Sequence, residues 1–228
     1  MRACTVVGPA VVITNFHVVE SLVNGASSPS NAIIRFDYKR LDDGTTLNSG
    51  MEFHLASEDW LVDSSPPSPA DLIPEPKEEL PTSSELDYAL LRLAEPVGSQ
   101  PVGKKGDPAT RRGWIPLTRT EYTFPPDSPL FILQHPLGVP LKLLLDTHGI
   151  IRANKNGTRV LYRTNTDRGS SGSPCFDQNW NLVALHHLGD PAYERRLNPT
   201  YNEGIPTTAI YDLVYQRGKR EALGMPTC

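Results

Sequence analysis

The stretch TNTDRGSSGSPCFD, Thr164 to Asp177, sets two glycines around a pair of serines and then adds Ser173-Pro174. It reads either as a flexible polar loop or as a backbone shaped to hold one serine as a nucleophile. Gly169, two residues before Ser171, permits a turn in which its own N–H and that of Ser171 point at one spot, and Gly172 lets the chain leave tightly. Acyl transfer by a serine needs such donors for the oxyanion. The spacing therefore selects Ser171, rather than Ser170 or Ser173, as candidate nucleophile, with Gly169 and Ser171 forming the oxyanion hole. A Gly/Ser-rich loop alone is weak evidence, so the rest of the chain has to supply a base and a carboxylate.

Working outward, the runs TVVGPAVVIT, AIIRFDY, YALLRL, LFILQ, LKLLL, TRVLYRT and NLVALHH are strand-length and rich in Val, Ile and Leu. Gly, Pro, Asn and Asp bound them, as in an all-β sandwich or barrel. Helix signals are few. TTAIYDLVYQRGKREAL puts Ile210, Leu213 and Val214 on one face, with Thr207 or Thr208 as N-cap after Pro206, and a short helical turn follows His17 in HVVESL. Asn156-Gly157, although part of an NGT sequon, reads as a hairpin turn. Between Ser64 and Pro81 stand six prolines and several acidic residues. Prolines break ladders, so this segment reads as a surface insertion that a Gly/Ser linker could replace.

Two residues change the weight of the serine loop. His17 follows an apolar strand and Thr14-Asn15, at a strand end where a side chain reaches a cleft; Asp87 immediately precedes the apolar run YALLRL. Each alone has an ordinary reading, as a solvated histidine or a turn aspartate. Together with Ser171 they give the order His, Asp, Ser, each at a strand edge, and the roles of base, orienting carboxylate and nucleophile.

These residues, with GPAVVITNFHVV, LDYALLRL, QHPLGVPLK and GSSGSPCFDQNWNLVALHH, resemble the chymotrypsin-fold (trypsin-like) serine peptidases, and more closely the bacterial branch with the glutamyl endopeptidases. The resemblance implies an all-β fold of two antiparallel six-stranded β-barrels with a C-terminal helix. The expected boundaries are about 1–95 for the first barrel, 96–128 for a linker, 129–206 for the second barrel and 207–223 for the helix. The catalytic set it implies is His17, Asp87 and Ser171. At the position six before the serine, where a carboxylate selects Arg and Lys, stands neutral Asn165. Thr166 and His186 fit the offsets of relatives that cut after Glu or Gln, and a protonated His186 would favour Glu. Arg168 adds charge near the mouth and Asp167 opposes it. Gly189 is placed for a substrate backbone to add at the strand edge.

The resemblance also has departures. The chain starts almost inside the first expected strand, which suggests a missing upstream part or an incomplete first barrel. Val18 and Asp167 stand where animal trypsins have disulfide cysteines, and Ser170 stands where they keep the aspartate that binds a new N-terminus. Two other readings stay open: a peptide-binding or scaffold module of the same fold without turnover, and a peptidase that cuts after Arg or Lys.

The bulk properties exclude other classes. Of 228 residues, 38% are hydrophobic and 21% charged, with a formal net charge of -4; this is a globular composition without a basic footprint for nucleic acid. The apolar N-terminus is interrupted too early for a membrane span or a signal peptide. Three widely spaced cysteines argue against a disulfide framework and for a reducing compartment, so the expected location is cytoplasmic. No cluster has metal-ligand spacing and no cofactor is expected. The expected partners are a polypeptide substrate and a fused or associated regulatory domain, not membrane or nucleic acid. Of His186 and His187, alternation along a strand would bury one and expose the other, and Cys175 reads as a buried filler.

Overall fold

The computed structural model describes residues 3–41, 43–75, 79–103, 109–119, 121–191 and 200–223; Cys228 lies outside them. Short apolar segments pair antiparallel throughout. In the first half, β1 (Thr5–Gly8), β2 (Val11–Thr14), β5 (Leu61–Ser65) and β6 (Tyr88–Arg92) form a sheet of order β1-β2-β6-β5, while β3 (Ile33–Arg40) and β4 (Thr46–His54) make a hairpin. The second half is one curled sheet of β7 (Leu130–Gln134), β8 (Lys142–Asp146), β9 (Ile150–Ala153), β10 (Val160–Tyr162), β11 (Pro174–Phe176), β12 (Leu182–Gly189) and β13 (Asn202–Pro206). Its order is β8-β7-β11-β12-β13-β10-β9. Among the described residues six strands thus fall in the first half and seven in the second, against six in each expected. The chymotrypsin-like pairing of two β units with a C-terminal helix holds.

Each unit has its own apolar core: Val12, Val19, Phe53 and Leu91 in the first, Ile132, Val160, Tyr162 and Cys175 in the second. A third core joins them, where Ile13, Leu90 and Leu117 meet Leu185, Ile205, Ile210 and Val214. The two units are therefore held together by buried apolar side chains from both.

Two α-helices lie among the described residues. The first, α1 (Phe16–Val23), begins at Asn15, and the second, α2 (Thr207–Gln216), buries Ile210, Leu213 and Val214 as the pattern required. The N-cap is Pro206 rather than Thr207 or Thr208; Thr207 stands one residue inside the helix, and its hydroxyl donates to Leu182 O (3.0 Å). Nor does α2 run to residue 223. Gly218 at φ 69° accepts the left-handed turn, and Lys219 and Gly218 donate back to Val214 and Tyr215, a closing motif that ends the helix.

The proline-rich segment corrects the surface-insertion expectation. Leu72 and Ile73 are exposed, but Pro69–Leu72 forms a 3-10 turn that buries Ala70 and Asp71, the latter 2% exposed. Ser68 opens that turn, and its backbone N–H donates to Asp71 (2.9 Å). Pro81 O accepts from Asn156 and Thr158 of the β9–β10 turn, which fixes the segment's far end to the second unit. Short-range composition signalled polarity; it carried no information that Asp71 meets a buried arginine, so a Gly/Ser replacement is expected to destabilise the fold.

Candidate active site

Strand β2 delivers the chain to Asn15, whose side-chain amide donates to Asp87 O (3.0 Å) rather than capping α1. That leaves first-turn N–H groups of α1 without an intrahelical acceptor. His17 N–H donates to Asp87 Oδ1 (2.9 Å), and His17 Nδ1 lies 2.7 Å from Asp87 Oδ2. The carboxylate thus grips backbone and ring of one residue together. Asp87 is fully buried and sits at φ 39°, a left-handed conformation that costs a non-glycine residue of order 1 kcal/mol or more. Burial opposes its ionisation, but hydrogen bonds from His17 and His187 and their charge hold its carboxyl below the usual carboxylate range.

The serine stretch forms a turn with Gly169 at φ 97° and Gly172 at φ 85°. A Cβ on Gly172 would lie 2.2 Å from Ala3 O and 2.5 Å from Thr14 Oγ1, so only glycine lets this turn press against the first unit. Ser170 and Ser173 are fully buried, whereas Ser171 is half-buried. Ser170 Oγ donates to Gln134 Oε1 (2.5 Å), which fills the place of the trypsin-type activation aspartate with a neutral pair. Arg168 O accepts from Leu137 N (2.7 Å). Across a trans peptide this turns the Gly169 N–H the opposite way, and among the described residues neither Gly169 N–H nor Ser171 N–H has a hydrogen-bond acceptor. Ser171 Oγ makes no hydrogen bond to His17 among them; catalytic contacts are often long in ligand-free sites.

Strand β12 carries two histidines, and both are buried, not one in and one out. His186 Nδ1 lies 2.5 Å from Tyr162 Oη. Burial, then the neighbouring histidines, push its pKa down to about 3, which favours the neutral ring, the case in which hydrogen bonding alone is left to it. Tyr162 has one proton and two acceptors in reach, His186 Nδ1 at 2.5 Å and Glu203 O at 3.4 Å; given to Nδ1, it would place the imidazole proton on Nε2. Thr166 Oγ1 donates to Asn202 Oδ1 (3.0 Å), while Asn202 Nδ2 donates to Thr164 O (2.8 Å). Asn165, Asp167 and Arg168 are exposed. Gly189 pairs with Asn202, and beyond His186 the other edge of β12 has no partner among the described residues.

The sequence reading passed over His187. Its Nδ1 lies 2.6 Å from Asp87 Oδ2 and its Nε2 lies 3.3 Å from Asp71 Oδ2 and 3.8 Å from Glu203 Oε1. Arg159, 1% exposed, donates to both oxygens of Asp71 (2.9 and 2.8 Å) and approaches Glu203 Oε1 at 3.4 Å. Burial pushes the His187 pKa down, yet bonds to Asp71 and Asp87 prevail and raise it to about 9. Burial likewise opposes Asp71 ionisation, but His187 and Arg159 hold its carboxyl well below the usual range. His17, Asp87 and His187, and also Asp71, His187 and Glu203, bring donor atoms within 4.8 Å of one another, a spacing a metal ion would accept. In the second group Arg159 already supplies positive charge.

A raised imidazole pKa makes stability depend on pH. The His187 contribution is fully present below its unfolded value near ~6.5 and is lost as pH rises through about 9. That difference corresponds to roughly 3 kcal/mol. Urea unfolding from pH 6 to pH 9.5 should show a decline of this order, flattened in His187→Gln.

The family model for the trypsin-like peptidase domain matches residues 3–185. The chain belongs to this family. Among solved structures, this trypsin-like domain resembles a Glu endopeptidase (18% identical, 96% of this chain and 85% of that chain, TM-score 0.56). It also resembles the serine endoprotease from Yersinia pestis (15% identical, 96% and 58%, TM-score 0.54). At these identities the likeness is one of fold. A curated relative, the uncharacterized protein y4fB of Sinorhizobium fredii, is 26% identical over 202 residues; the trypsin-like domain spans 25% of its length. Among the described residues no helix is long and apolar enough to cross a membrane.

Proposed function

We propose that the chain is a serine endopeptidase in which Ser171 attacks the scissile carbonyl, His17 takes and returns the proton, and Asp87 orients the imidazole. The N–H groups of Gly169 and Ser171 receive the oxyanion. The observation that carries this reading is the double grip of Asp87 on His17, beside a turn that leaves two amides without acceptors and one serine half-exposed. Fluorophosphonate labelling at Ser171, with peptide mapping of cleavage in a proteome digest, tests it. Absence of both label and cleavage would favour the scaffold reading instead.

The substrate residue before the cut is proposed to be Gln or Glu, with Gln preferred. Neutral His186 has an Nε2–H to donate to a side-chain oxygen. Thr166, whose proton is committed to Asn202, has lone pairs left to accept from an amide N–H. A carboxylate would gain no positive charge from either group, and burying an unpaired charge is costly. The Glu/Gln ratio in kcat/KM should therefore stay flat with pH instead of falling through a histidine titration. His186→Ala should lower kcat/KM for Gln peptides by about one to two powers of ten, the cost of an unsatisfied buried hydrogen bond. Comparable turnover of Arg or Lys peptides, with His186→Ala indifferent, would sink this pocket and leave the triad untouched.

A further inference from the structure

We propose that His187 is a positioning residue for Asp87: it donates Nδ1–H to Oδ2, the carboxylate oxygen that also meets the His17 ring, and with Nε2 it stands within ion-pair range of Asp71 of the proline-rich segment. The inference rests on the triad reading above. Asp87 Oδ2 lies 2.7 Å from His17 Nδ1 and 2.6 Å from His187 Nδ1, and Asp87 Oδ1 accepts the His17 N–H. Three donors around one buried carboxylate leave it little freedom to rotate. The two imidazoles meet edge to face, with ring centroids 6.1 Å apart.

His187 donates from Nδ1 to Asp87, while its buried Nε2, without a hydrogen-bond partner among the described residues, lies 3.3 Å from Asp71 Oδ2 and 3.8 Å from Glu203 Oε1, so carboxylate charge on both sides of the ring favours the imidazolium. The groups around it come from every packed element. Asp87 precedes β6, Asp71 belongs to the segment after β5, Glu203 lies in β13, Arg159 precedes β10, His17 is in α1 and His186 is its neighbour in β12. Three carboxyl groups thus face one guanidinium and this ring, which is why the charge is held in a site that water does not reach. Asp71 is in turn fixed by both Arg159 nitrogens, so His187 connects the catalytic carboxylate of the first unit to a cation of the second.

A positive donor on Asp87 lowers the pH at which the Asp87–His17 pair takes up a proton. His187→Leu removes that donor and charge. The acidic limb of the kcat/KM profile should then move up by about one pH unit, with kcat reduced and KM little changed, and His187→Gln, a neutral donor, should shift it less. A purely structural role would lower activity at every pH without moving the limb, which would overturn the proposal. Nitrogen-15 spectra of the wild-type imidazoles decide independently of turnover and of any unstable variant. His187 should carry protons on both nitrogens at pH 7.5, and a neutral ring would overturn the proposal even in an active enzyme. If Ser171 neither labels nor cleaves while His187 is doubly protonated and bonded to Asp87, the triad reading fails and the positioning contact stands.

Discussion

Ser171→Ala is expected to lower kcat/KM by about 10⁴-fold or more while the unfolding midpoint stays where it is. Ser171 is half-buried and its Oγ has no partner among the described residues, so removing it breaks no internal hydrogen bond. On the proposed mechanism what is lost is the nucleophile, and with it the steps in which His17 would act as base and acid; oxyanion and binding contributions alone would remain. The control is built into the same turn. Ser170→Ala should cost stability, since it strands Gln134, yet spare turnover to within about tenfold, because Ser170 is fully buried and its hydroxyl is engaged by Gln134. Near wild-type turnover of Ser171→Ala, together with loss in Ser170→Ala or Ser173→Ala, would move the nucleophile elsewhere in the loop.

Arg159→Met should destabilise the protein by about 3–5 kcal/mol, the range for removing one partner of a buried ion pair. Methionine fills much of the space but takes the guanidinium away from Asp71, and it also removes donors to Glu85 O and Thr158 O at 2.7 Å. For a chain of 228 residues this corresponds to a fall in Tm on the order of 10 °C. Combining it with Asp71→Leu should return part of the loss, since an apolar pair is often as stable as a buried ionic one. A loss under about 1 kcal/mol in the single variant would mean that Asp71 and Arg159 are solvated, and the proline-rich segment would then be the detachable insertion that its composition suggested.

How far the sequence reached can be read from where each signal lives. Gly169 and Gly172 have positive-φ conformations that L side chains disfavour, so the turn around Ser171 was legible in four neighbouring letters. Asn15-Phe16-His17 lies at the junction of an apolar strand and a helix, and Asp87 stands one residue before a buried strand; alternation and punctuation mark such edges. The short Val- and Ile-rich runs likewise settled an all-β chain with one good C-terminal helix. These are local facts, decided by φ preferences and by which side chains avoid water.

Protonation and partnership are not local, and there the tertiary structure decided. Asp71 and Arg159 are 88 positions apart, Asp87 and His187 100 apart, and nothing in SPADL or TRVLYRT shows that the charges will share one dry space. The adjacent His186 and His187 have the same side chain and opposite fates. One is buried against a tyrosine and driven neutral; the other is buried between carboxylates and driven charged. The sequence by itself determined which residues stand at the edges of which strands. The electrostatic field those residues feel, and hence their chemistry, exists only once both β units have closed around them, because removal from water magnifies each charge and distant chain segments supply its sign.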